Sequence, residues 1–190
     1  MSMFVVFGRP GAGKSTIAQR SKEIISNQNM MKNILYLDLD VCIPKWMKDN
    51  FSQGIYPTLS QRKEFALSAS HYVTTQRSKH DNPIAIISFS FVNNDLREIF
   101  REHFPNAVWI LIDTNENVAL QRICARNDHF YKGNPSRDTV HVKKIKDDLS
   151  NMEWKFAPIH FDHKVLDGLK DIDHNAYQLM QIILDNNDPM

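Results

Sequence analysis

The chain has 190 residues, 42% of them hydrophobic, and a formal net charge of +1. That length can bury a substantial core in a single domain over residues 1–190, and the near-neutral balance argues against a strong field for nucleic acid or an anionic membrane. No run approaches the roughly 20 apolar residues of a membrane span. No basic region precedes the first apolar run, so no signal peptide is expected. Cys42 and Cys124 stand too far apart to suggest a disulfide framework, which points to a reducing, cytoplasmic setting.

In chain order, Phe4–Phe7 predicts the first strand. It runs into Gly8-Arg-Pro10-Gly11-Ala12-Gly13-Lys14-Ser15-Thr16, which is G-x-x-x-x-G-K-[ST] between a strand and a helix over Thr16–Ser26. Glycines let successive backbone N–H groups turn inward around phosphate oxygens, and the helix start adds its positive end. Lys14 can reach the outer phosphates, and the Ser15 hydroxyl can ligate Mg²⁺. The loop therefore predicts a nucleoside triphosphate, ATP with Mg²⁺, and leaves open where the γ-phosphate goes.

Ile34–Leu39 predicts strand two. A helical pattern over Ser60–Lys79 aligns Phe65, Ala66, Ala69 and Val73. Ile84–Phe89 predicts strand three, Asp95–His103 a helix, Ala107–Ile112 strand four and Asn115–Arg126 a further helix. A weaker strand over Lys164–Asp167 and a helix over His174–Leu184 close the series. Continuous apolar strands alternating with amphipathic helices predict an α/β fold, a five-stranded parallel sheet with helices on both faces. Ligands of such sheets sit beyond the carboxyl ends of the strands.

The residues at those ends carry the remaining signal. Strand two ends in Asp38-Leu-Asp40, two carboxylates that face the same way in extended chain. One could hold Mg²⁺ and the other take a proton from an attacking hydroxyl; without a phosphate loop nearby, capping aspartates would be the better reading. Strand three ends in Ser88 and Ser90 where many P-loop ATPases carry a metal-binding aspartate, which favours a small-molecule kinase over a motor-type ATPase. After strand four, Arg122 and Arg126 lie four apart on one helical face, a spacing suited to phosphoryl charge.

The segment Asp38–Arg62 resembles the gluconokinases, small P-loop sugar-acid kinases related to shikimate kinase, through Asp40, Gly54, Thr58 and Arg62. The run Arg122-Ile-Cys-Ala-Arg126-Asn-Asp-His129-Phe130 resembles their lid, and Arg97 matches an arginine after their third strand. The resemblance spans roughly Met3 to Leu184. It implies a three-layer P-loop kinase fold with an acceptor-closing segment around 40–80 and a lid around 122–150. By position it implies Asp38 on Mg²⁺ and Asp40 as base. Arg62 and Arg97 would hold an acceptor carboxylate, and Arg122 and Arg126 the ATP phosphates and adenine side. Lys14, Asp40 and Arg122 are then the expected catalytic residues, gluconate the expected acceptor, and a homodimer the expected assembly. The sequence departs from the family at Ser60-Gln61, at Asn93-Asn94 and in the long charged stretch after Phe130. The alternatives are a kinase acting on polynucleotide 5′-hydroxyls, weighed against by the near-neutral charge, and a nucleotide-binding regulatory protein without an acceptor. His160, Asp162 and His163 cluster without a fourth metal ligand, and Trp46, Trp109 and Trp154 read as packing residues.

Overall fold

Strand β1 (Met3–Phe7) lies at the centre of a five-stranded sheet, every residue of it buried. The computed structural model describes residues 2–31, 33–53, 55–125 and 155–187. The other strands are β2 (Ile34–Asp38), β3 (Ile84–Phe89), β4 (Val108–Asp113) and β5 (Lys164–Asp167). Their order is β2-β3-β1-β4-β5 and all four pairings are parallel. Phe7 pairs with Phe89 and Asp38 with Ser88, which brings the carboxyl ends of β1, β2 and β3 to one edge.

The helices are α1 (Lys14–Asn27), α2 (Lys45–Ser52), α3 (Leu59–Arg77), α4 (Asn94–His103), α5 (Glu116–Ala125) and α6 (Ile172–Asp185), with a 3₁₀ turn at Leu39–Cys42. Parallel strands require such crossovers, because a tight hairpin can join only antiparallel neighbours. The alternation of side chains along β1 divides the core. Phe4 and Val6 pack with Ile17, Ile25, Leu179 and Ile183 of α1 and α6. Met3, Val5 and Phe7 pack on the opposite face with Phe65, Val73 and Phe100 of α3 and α4. The expected three layers are thus present, with element ends shifted by one or two residues from the sequence reading.

Local chemistry accounts for several boundaries. Thr58 and Gln61 form a reciprocal capping box at α3: Gln61 N donates to Thr58 Oγ1 at 3.4 Å and Thr58 N donates to Gln61 Oε1 at 2.9 Å. Gln61, one of the departures from the gluconokinase pattern, is therefore the residue that closes this cap. Asp171 caps α6 by accepting from His174 N at 2.6 Å. Residues 156–161 return to the core, where Phe156 and Phe161 stack on Phe7 with ring centroids 6.3 and 6.1 Å apart. No described helix is long and apolar enough to cross a membrane. Trp109 is buried among Phe7, Phe91 and Phe161 as a packing residue; Trp154, and Gly54 of the family pattern, lie outside the described residues.

Candidate active site

The phosphate loop is built by backbone geometry before any side chain is considered. Gly11 has φ +81° and Gly13 φ +93°, a region that L side chains rarely adopt. A Cβ on Gly11 would also press into the Ala119 carbonyl of α5, so the loop can lie on that helix only with glycine there. Lys14 begins α1, is 7% exposed, and directs Nζ to the Arg9 carbonyl at 2.9 Å across the loop. Gly13 is the N-cap of α1, so the helix start and its N–H groups open toward the cleft.

One cleft of about 860 Å³, including its open mouth, runs from this loop along the carboxyl ends of β2 and β3. Pro10, Gly11, Gly13, Lys14 and Ser15 of the loop line it together with Asp38, Asp40 and Arg62. Residues far apart in sequence and expected to serve one reaction thus face one space. Gly8 and Ala12 do not face it. Gly8 is packed against the Ile112 backbone, and the Ala12 carbonyl accepts from Arg122 and Thr114. Thr16 is exposed at a separate shallow groove toward α6.

Asp38 and Asp40 are not on a common extended strand. The chain turns at Asp38 into the 3₁₀ helix, and Asp38 Oδ1 accepts the Asp40 N–H at 3.0 Å. Asp38 is at once a cap and a cleft carboxylate. Its other oxygen meets the Tyr36 hydroxyl at 3.4 Å; Tyr36 meets Ser88 Oγ at 2.9 Å, and Ser88 meets Ser15 Oγ at 3.3 Å. This chain couples the expected metal residues Ser15 and Asp38 through two groups that the sequence reading did not select. Burial pushes the Tyr36 hydroxyl up to about 12, so it stays protonated and able to donate. Two hard oxygen donors, a hydroxyl and a carboxylate, fit Mg²⁺ completed by phosphate and water. Among the described residues no group of three or more His, Cys, Asp or Glu could hold a metal ion by itself.

Arg62 is held from three sides. Nε donates to Asp95 Oδ2 at 2.8 Å, Nη1 to the Pro57 carbonyl at 2.8 Å, and the guanidinium lies over the Tyr56 ring, 5.5 Å from its centroid. Arg97, the other arginine expected to hold an acceptor carboxylate, does not line the cleft. It is 1% exposed. Its donors go to the carbonyls of Phe91, Val92, Ala157 and Pro158 and to Asn94 Oδ1, at 2.8–3.2 Å. The guanidinium is stacked over Phe156, 4.5 Å from the ring centroid. Burial pushes its pKa down to about 10, which leaves it charged at neutral pH. These contacts make Arg97 a clasp that joins the loop after β3 to the returning segment 156–161. The physical reason is its place on the inward face of α4 beside Leu96 and Phe100, a burial that a one-dimensional match does not reveal.

Arg122 ties the phosphate loop to the turn after β5, donating to Ala12 O at 3.4 Å and Gly168 O at 3.0 Å. That turn is tight: a Cβ on Gly168 would run into Thr114, and Asn175 Nδ2 donates to the Asp167 carbonyl at 2.9 Å. Arg126, His129 and Phe130 lie outside the described residues, as does most of the expected lid. Trp46 is 43% exposed at a groove between α2 and α3 rather than in the cleft. Cys42 is half-buried, and burial with the nearby Asp38 and Asp40 pushes its thiol up to about 11, unlike an activated nucleophile.

The fold and the loop together define a P-loop architecture, and several solved structures of similar fold are kinases. A sugar kinase from Janibacter sp. HTCC2649 matches with TM-score 0.68 at 19% identity, over 97% of this chain and 93% of that one. A gluconokinase from Sinorhizobium meliloti 1021 matches with TM-score 0.63 at 16% identity, over 97% and 94%. The Mycobacterium tuberculosis APS kinase, solved with AMPPNP and APS, matches with TM-score 0.67 at 13% identity, over 97% of each chain. No family model and no curated protein sequence matches the chain. The chain has the P-loop kinase fold; one fold serves several acceptors, so the acceptor must be argued from the cleft.

Proposed function

We propose that this protein is an ATP-dependent phosphotransferase whose acceptor is a hydroxyl of a small molecule. The observation that carries the reading is the convergence of Lys14, Ser15, Asp38, Asp40 and Arg62 on one cleft. The loop N–H groups and Lys14 hold the β- and γ-phosphates. Mg²⁺ held by Ser15 and Asp38 would offset charge on the phosphate oxygens. Asp40 orients the acceptor hydroxyl and receives its proton as the oxygen bonds the γ-phosphorus and the bond to the ADP oxygen breaks. Arg122 braces the loop against the turn after β5. The segment around 40–80 closes on the acceptor.

The Asp38–Arg62 resemblance nominates a sugar acid, with gluconate first in the assay. The test is ADP release from MgATP across an acceptor panel. The expected result is release that depends on one acceptor and disappears in Lys14→Ala. Release that no acceptor raises above background would overturn the reading in favour of a nucleotide-binding regulatory protein.

A further inference from the structure

The described wall of the cleft carries two kinds of side chain. Lys14, Ser15 and Asp38 stand at the phosphate end. The same cleft is lined by Ile43, Met47, Phe51, Phe65, Phe89 and Leu96, drawn from five neighbouring elements and turns. Phe65 and Phe89 pack with ring centroids 5.0 Å apart, and both line the same cleft as Asp40. Besides Lys14, Ser15, Asp38 and Asp40, the polar side chains lining the cleft are Ser90, Arg62 and Tyr56. The Tyr56 hydroxyl bonds to Asn93, and Arg62 is already ion-paired with Asp95 at 2.8 Å. An acceptor carboxylate reaching Arg62 would meet a guanidinium whose charge the protein itself has matched.

This chemistry discriminates among alcohols. A polyol acid carries a hydroxyl on nearly every carbon, and each one that loses water here without a partner weakens binding. A ring with few polar atoms instead gains affinity with the apolar area it removes from water. Aromatic walls further favour a flat partner through offset or edge contacts.

We propose that the acceptor is a neutral alcohol borne on an aromatic or otherwise planar ring, its hydroxyl at Asp40 and its ring against Phe65 and Phe89. The inference rests on the phosphotransferase reading and departs from the sugar acid in its substrate class. The hydroxyl oxygen bonds the γ-phosphorus, the bond to ADP breaks, and the hydroxyl proton passes to Asp40. Nucleosides and arylalkyl alcohols both present this chemistry.

The test measures binding and turnover separately on the full chain. Calorimetry with MgADP present compares thymidine, 3-phenyl-1-propanol and gluconate, and ADP release from MgATP is followed with each. The expected result is that at least one ring compound binds about tenfold or more tighter than gluconate and is turned over with the higher kcat/KM. Phe51→Ser, at a half-buried wall position, should weaken that binding while the protein still melts cooperatively. Whether thymidine or phenylpropanol binds better identifies the source of the ring. Ring binding without ADP release keeps the acceptor class and overturns the phosphotransferase reading. Preferred binding or turnover of gluconate overturns the acceptor class and leaves the phosphotransferase reading standing. Absence of binding by both ring compounds also overturns the acceptor class.

Discussion

Asp38 accepts the backbone N–H of Asp40 at 3.0 Å, so the first carboxylate of the pair sets the orientation of the turn that carries the second. The two aspartates are therefore separable by substitution. Asp38→Asn retains a side-chain oxygen and is an equally good cap, so its stability should stay within about 0.5 kcal/mol of wild type. Asp40→Asn should lower kcat by about 10²–10⁴, the usual contribution of a general base. Thermal melts and steady-state rates check both; near-wild-type turnover by Asp40→Asn would rule out Asp40 as the proton acceptor.

Tyr36 occupies the middle of the Ser15–Ser88–Tyr36–Asp38 chain and touches neither nucleotide nor acceptor in the proposed arrangement. Tyr36→Phe takes one partner from Ser88, which is fully buried, and should destabilise the fold by about 1–2 kcal/mol. As a positioning residue it should also raise the Mg²⁺ concentration needed for half-maximal rate, a shift that a packing role alone would not produce. A magnesium titration of the purified variant measures it.

Arg97 holds the loop after β3 while Phe91 in that loop has φ +40°, a strained backbone for a bulky residue. Arg97→Met leaves several carbonyls without their donor at about 1–3 kcal/mol each, so a loss of about 3 kcal/mol or more is expected. For a chain of this size each kcal/mol shifts Tm by about 2–4 °C. Below the variant's Tm the acceptor KM should stay close to wild type. A large rise in acceptor KM with Tm unchanged would restore the carboxylate-binding role that the family match implies.

Cys42 supplies a pH signature. Its thiol is raised from 9.0 to about 11, so the folded state favours the protonated form. Its contribution to stability is present below pH about 9 and is lost as pH rises through about 11. In magnesium-free buffer, Cys42→Ala should flatten the fall of Tm over that window. At pH 8 the thiolate fraction at Cys42 is about a hundredfold below that of an unperturbed thiol, so alkylation of a variant lacking Cys124 should be correspondingly slow.

Much of the fold was legible in the chain itself. Continuous apolar runs marked β1 to β4, because strands covered on both faces need no alternation, whereas edge strand β5, exposed at three of its four positions, carried the weaker signal. The glycine-lysine-serine loop and the carboxylates after β2 were equally legible, since a parallel sheet sends the ends of its strands to one edge. Among the departures, Gln61 had a local explanation within reach of the sequence, as the far half of a capping box.

What the linear chain determined, then, was the series of elements and the chemistry carried at each strand end, both properties of short-range pattern. The tertiary structure alone decided which side chains meet. Arg97 on an amphipathic helix is an arginine until packing closes Phe91, Ala157 and Phe156 around it. Tyr36 joins Asp38 to Ser15 only because β2 and β3 pair in a register that sets Asp38 beside Ser88. The apolar lining of the cleft exists because α2, α3, β3 and α4 converge there. Burial, ion pairing and wall composition depend on neighbours far away in sequence, and no local pattern encodes them.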